Sequence, residues 1–119
     1  MLPYKRSKRV GDLLREQIAE IIQYKLKDPR MGFITVTGVD MTDDLKLAFV
    51  YVSVLKEEDK QLSLEILNSA KSFIRTELGR RIRIKTIPSL EFRIDTSIAY
   101  GSRIEELLEE IRRKGEGSI

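Results

Sequence analysis

At 119 residues the chain is one domain long, and an apolar content of 41% lets it bury a core without a disulfide or metal staple. It has no cysteine and no histidine, which excludes zinc sites built on those side chains, thiol chemistry and imidazole acid–base catalysis. The net charge of +3, from 22 basic and 19 acidic residues, is uninformative as a total, but the charges are unevenly placed. Between positions 75 and 85, Arg75, Arg80, Arg81, Arg83 and Lys85 face a single acid, Glu77, while acids gather at 40–44, 57–59 and 105–110. A local basic field attracts phosphate backbones even when net charge is small.

The basic start, Lys5, Arg6, Lys8 and Arg9, leads into an amphipathic pattern instead of an apolar signal region. Val10, Leu13, Leu14, Ile18, Ile21, Ile22 and Leu26 recur at helical spacing, with Ser7 the expected N-cap and Pro29 expected to stop the helix near Asp28. Gly32 gives a turn. Two strands follow, Phe33 to Met41 and Lys46 to Leu55, rich in β-branched residues and joined by the turn formers Thr42, Asp43 and Asp44. The second strand is apolar on both faces, which predicts a central strand, with Phe49 and Tyr51 counted with the core. Its run from Leu47 to Leu55 is too short to span a bilayer, so a cytoplasmic protein without membrane contact is expected.

The segment from Lys60 to Ile82 is helical but internally inconsistent. Ile66, Leu67, Ala70, Phe73, Ile74 and Leu78 form an apolar stripe, yet at about 100° per residue a straight helix places Glu77 and Arg81 in its middle. A break at Ala70-Lys71-Ser72 resolves the conflict; the alternative is one continuous helix ending near Gly79. Ile87-Pro88-Ser89 turns the chain into a strand in which Leu90, Phe92 and Ile94 alternate with Glu91, Arg93 and Asp95. A last helix begins at Tyr100 to Ser102, with Ile104, Leu107, Leu108 and Ile111 on one side. The expected fold is α+β: α-β-β-α-(kink)-α-β-α in a single domain over residues 1–112, followed by a loose tail at 113–119. A hairpin followed by a right-handed strand–helix–helix–strand crossover makes a three-stranded mixed sheet with helices on one face.

This order resembles a type II KH domain, a fold that binds single-stranded RNA through a Gly-x-x-Gly loop. Here Ala70-Lys71-Ser72 stands at the matching junction. Three stretches sharpen the likeness. One is Asp28-Pro29-Arg30-Met31-Gly32, leading into the run from Thr37 to Leu45. Another is Ala48-Phe49-Val50-Tyr51-Val52-Ser53. The last is Phe73-Ile74-Arg75-Thr76-Glu77-Leu78, continuing through Arg80 and Arg81 to Pro88-Ser89-Leu90-Glu91-Phe92. In order and spacing, from Arg6 to Ile111, they resemble the ribosome-binding factor A family. The resemblance implies a non-catalytic factor that binds free or immature small (30S) ribosomal subunits and contacts 16S rRNA near its 5′ end. It also implies a role in late subunit maturation and rRNA processing, and support of growth in the cold. In that family an Ala-x-Gly kink replaces the loop, with Ser72 standing here at the usual glycine.

The expected RNA surface is Lys71, Ser72, Arg75, Arg80, Arg81, Arg83 and Lys85. Arginine forks suit phosphate, and backbone N–H groups at the start of the second helix suit an anion. Arg81 is expected near the core edge with its head in water. Lys5, Arg6, Lys8 and Arg9 form a second candidate cluster, or else a solvated helix start. Arg112, Arg113 and Lys114 are read as favourable charge at a helix C-terminus. Among aromatics, Tyr4 and Tyr100 are the freer ones for base stacking. No metal, cofactor or small-molecule substrate is expected, and the chain is taken as a monomer. Two other functions compete: a magnesium-dependent nuclease using Asp40, Asp43 and Asp44, which are also ordinary turn formers, and a general RNA chaperone or permanent ribosomal protein.

Overall fold

The computed structural model describes residues 5–26 and 28–96. In chain order these form α1 (Arg6–Tyr24), β1 (Ile34–Met41), β2 (Leu47–Val54), a single 3₁₀ turn (Glu57–Asp59), α2 (Lys60–Ser69), α3 (Lys71–Arg81) and β3 (Ser89–Ile94). The sheet order is β1-β2-β3, with β1 antiparallel and β3 parallel to the central β2. This is the expected α+β, KH-like arrangement of a mixed sheet with helices on one face; the final helix and tail expected beyond Tyr100 lie outside the described residues.

The core forms where the apolar periods meet. Ala48, Val50, Val52 and Val54 on one face of β2, with Leu90 and Phe92 of β3, are buried against Leu14, Ile18, Ile21 and Ile22 of α1, Leu67 of α2 and Ile74 and Leu78 of α3. Burying each such side chain stabilises the fold by roughly 1.5–3 kcal/mol. Glycine at 11 lets α1 lie close on β1, since a Cβ there would sit 3.2 Å from the Val39 carbonyl oxygen. Gly32 is required for space and not for a left-handed turn: a Cβ would lie 2.9 Å from the Asp59 Cβ. Its N–H donates to the hydroxyl of the fully buried Ser63 at 3.1 Å, which fixes the 28–33 loop on α2.

Three local expectations are corrected. Ser7 is not the N-cap; α1 begins after Lys5 with no side-chain cap, and the Ser7 hydroxyl instead donates to Asp43 Oδ1 across 3.4 Å, tying the helix start to the hairpin. The helix ends at Tyr24, before Pro29 forces it to, because the Ile21 carbonyl accepts from both Lys25 and Leu26 and turns Leu26 back towards the core. Phe49 and Tyr51 are not in the core with Phe92; they lie half-buried on the opposite face of β2, where the Arg93 guanidinium stacks 4.3 Å from the Phe49 ring centre. A β-bulge at Thr37 shapes that face: its hydroxyl contacts the Tyr51 carbonyl and the buried Asp95 carboxylate, crossing the central strand.

The helical segment is broken, as its pattern demanded. Ala70 separates α2 from α3 with φ −93° and ψ 5°, a conformation open to any L-residue. Ser72 lies inside α3 and does not have a positive φ, so the kink needs no glycine there. The break also expels Phe73 from the expected stripe: it is 42% exposed, whereas Ile74 and Leu78 are fully buried. Leu78→Ala is therefore expected to lower the unfolding free energy by about 2–5 kcal/mol. Phe73→Ala should cost about 1 kcal/mol or less, since the ring is already partly in water. Urea denaturation measures both, and a straight helix predicts the reverse order.

Candidate nucleic-acid interface

The basic residues of the expected RNA surface are spread along α3 and the loop that follows it. Lys71 and Ser72 open α3, and Arg80 and Arg81 close it, ten residues or about 15 Å further on. Arg83 and Lys85 lie exposed on the 82–88 loop, which returns to the sheet where Ser89 N–H donates to the Lys46 carbonyl at 2.9 Å. The start of α1 reaches that same end, through the Ser7–Asp43 contact. The start of α1 thus lies by the hairpin, at the end of the sheet where the 82–88 loop enters β3, whereas Arg81, just before that loop, meets α1 further along at Gln17 and Glu20.

Several of these cations already have partners. Arg75 is exposed but does not point its fork freely into water: Nε donates to the Pro88 carbonyl and Nη2 to the Ile87 carbonyl, each at 3.0 Å. It clamps the loop that carries Arg83 and Lys85, a backbone role that charge counting cannot reveal. Arg81 lies at the core edge as expected, its side chain 25% exposed, and Nη1 reaches Glu20 at 3.2 Å and Gln17 at 3.4 Å on α1. Arg80 pairs with Glu77 at 3.3 Å, but its side chain remains 73% exposed. Lys8 pairs with Asp12 one turn on, at 3.4 Å. Exposed pairs of this kind contribute at most about 1 kcal/mol, so a phosphate can displace the carboxylate. Among the described residues no ion pair holds Lys71, Arg83 or Lys85. Ser72 is exposed, and its carbonyl accepts from the Thr76 hydroxyl at 2.9 Å.

The acids of the hairpin turn serve its backbone. Asp44 Oδ1 accepts from the Thr42 hydroxyl at 2.6 Å and the Lys46 N–H at 3.0 Å, and these bonds, the hydroxyl first, lower its pKa. Leu45 takes a positive φ of 61° to complete the turn. Among the described residues no three acidic side chains are grouped to hold a metal ion, and no helix is long and apolar enough to cross a membrane.

Sequence reasoning missed an aromatic on this surface and, away from it, a charged pair. Phe73 is an exposed aromatic on α3; the signal was that, once the helix breaks, Ile74 and Leu78 define its buried axis. Arg30 grips Asp28 through Nε, Nη2 and the backbone N–H, at 3.1, 2.8 and 2.9 Å. The side-chain bonds, then the backbone bond, hold the Asp28 carboxyl at about 2, below its ordinary 3.8.

Comparisons with known proteins agree with one another. The profile of the family described as ribosome-binding factor A matches residues 6–108. A ribosome-binding factor A from Thermodesulfovibrio yellowstonii is 57% identical over 116 residues, 98% of this chain and 98% of its own. The crystal structure of ribosome-binding factor A from Thermus thermophilus superposes with a TM-score of 0.68 at 33% identity, covering 74% of this chain and 93% of that one. A homology model of the Thermus thermophilus factor, fitted into a cryo-electron microscopy map of a 30S complex with that factor, gives a TM-score of 0.60 at 35% identity, covering 70% of this chain and 88% of that one.

Two outcomes are expected here. Losing the Arg75 fork removes two charged hydrogen bonds at a solvent-facing site, together worth about 1.5 kcal/mol, so Arg75→Ala should raise the rate of tryptic cleavage after Arg83 and Lys85 roughly tenfold; a rate equal to that of the parent protein would mean the clamp does not hold the loop. For Asp28, a folded pKa below the unfolded value makes the pair's contribution complete above about pH 4 and lost as pH falls towards about 2. An NMR carboxyl titration should show that low midpoint, and Arg30→Ala should return it to the ordinary range.

Proposed function

The chain belongs to the ribosome-binding factor A family, and we propose that it acts by binding, without catalysis, on free or immature 30S subunits in the cytoplasm. In this reading it works as a monomer without cofactor, contacts 16S rRNA near its 5′ end, and assists late subunit maturation and 16S rRNA processing, with a role in growth in the cold. The family match along nearly the whole chain carries the proposal. The surface supports it: exposed Arg80, Arg83 and Lys85 follow the kinked helix pair, and the start of α1 adds a second basic cluster, Lys5, Arg6, Lys8 and Arg9, beside the hairpin.

Mechanistically, cationic side chains on short tethers release counterions from the phosphate backbone when they dock. Orientation comes from the parts that are held: Arg75 fixes the 82–88 loop, and Arg81 fixes the end of α3 against α1. A docked factor of this kind holds a rearranging rRNA segment, or keeps an unfinished subunit from entering translation.

Co-sedimentation with small subunits, large subunits and full ribosomes tests this. Saturable binding to small subunits alone, weakened by salt, is expected. Reversing Arg80, Arg83 and Lys85 to glutamate should weaken it and flatten the dependence of log affinity on log salt by roughly 2–3, near 0.7–0.9 per lost phosphate contact. Equal binding to all three particles, or an unchanged salt slope, would refute the assignment.

A further inference from the structure

Phe73 stands apart from the other apolar residues of α3. Ile74 and Leu78 are fully buried, while Phe73 lies in the first turn, 42% exposed. One exposed phenyl ring is ordinary by itself; its neighbours make this one informative. At about 100° and 1.5 Å per residue, Phe73 and Arg80 are about 20° apart around α3 and roughly 10 Å apart along it. Arg80 keeps 73% of its side chain in water. Ser72 and Thr76, on the same outward side, are exposed and polar.

This pattern discriminates between ligand classes. A protein partner is recognised by a contiguous apolar patch, whereas the phenyl group here has hydroxyls and the Arg80–Glu77 pair around it, with the guanidinium mostly in water and the carboxylate side chain only 14% exposed. A planar base beside its own phosphate needs that combination: a π-face for stacking and a cation within reach. An A-form duplex keeps its bases stacked inside and its major groove too deep and narrow for a helix side chain. We propose that Phe73 is a stacking platform for an unpaired base, with Arg80 gripping an adjoining phosphate, so that the outer face of α3 takes single-stranded RNA and not duplex.

The inference rests on the RNA-binding reading above, and its test separates the two. The chain contains no tryptophan, so Phe73→Trp installs a single indole at the site. Titrated with a short unstructured RNA, this variant should bind like the parent and lose emission, while a duplex of the same sequence leaves emission unchanged. Phe73→Leu, which keeps an apolar side chain, should weaken binding to the single strand and to small subunits roughly 5- to 100-fold, the range expected for one lost stacking contact. Its urea midpoint should match the parent's. Full affinity in the leucine variant, or undiminished indole emission at saturation, overturns the stacking role even where the Arg80, Arg83 and Lys85 reversal still abolishes binding. A leucine-variant defect on small subunits alone, without binding to the single strand, also overturns it and assigns the ring to a ribosomal protein contact.

Discussion

Between Ser69 and Lys71 the chain has to turn its buried face. Ser63, Ile66 and Leu67 define the inward side of α2, and Ile74 and Leu78 that of α3. Projected on one straight helix, these two sides differ by about 50°. A continuous helix would centre Glu77 and Arg81 on the apolar sheet face, and burial of an unpaired charge costs far more than one irregular residue. With the break both stay at the flanks with partners: Glu77, 14% exposed, against Arg80, and Arg81, 25% exposed, against Glu20. Ala70 absorbs the difference at φ −93° and ψ 5°. Its N–H still bonds back to the Ile66 and Leu67 carbonyls, and its carbonyl still accepts from Ile74, so the bend leaves no backbone group of Ala70 unpaired.

The rest of the surface follows from that rotation. With Ile74 and Leu78 inward, Arg81 lies on the flank facing α1, where Glu20 and Gln17 meet it, and Arg75 on the other flank, where it reaches the Ile87 and Pro88 carbonyls. Arg80 and Phe73 are left pointing outward. One helix of eleven residues therefore sorts its arginines into two that hold the structure together and one that faces solvent. The two structural arginines use the geometry that lysine lacks, a planar fork matched to paired acceptors.

Elements were legible in the sequence where a period was long and unopposed. The α1 stripe, the alternation of β2 and β3, and the position of the break follow from hydrophobic spacing alone, because burial is what that spacing encodes. The ends of elements were less legible. Ser7 had the chemistry of a cap, but a carboxylate some 36 residues away in sequence offered its hydroxyl another partner. Phe49 and Tyr51 looked like core because the second face of a central strand was read as at least partly covered; the described helices pack on the other face, and a stacked Arg93 shields Phe49 on this one. Gly32 was correctly seen as special for the wrong reason, since the demand comes from Asp59, which the chain brings back against it.

The candidate site was legible as a composition and not as an arrangement. A run of arginines announces affinity for phosphate, but a sequence does not say which guanidinium meets a backbone carbonyl, and carbonyls are everywhere. Arg75 and Arg83 look equivalent in the sequence; in the fold, one holds the loop on which the other is displayed. The same logic applies to Ser72, where the resemblance led to the expectation of a glycine. A glycine would matter if the kink required a left-handed backbone or a close approach at that position. The turn is made two residues earlier, in a region any residue can occupy, and the Ser72 side chain is exposed. Serine therefore costs nothing in backbone geometry, is a better helix former than glycine, and adds a hydroxyl at the start of α3, one residue from Phe73, on the face left open by the break.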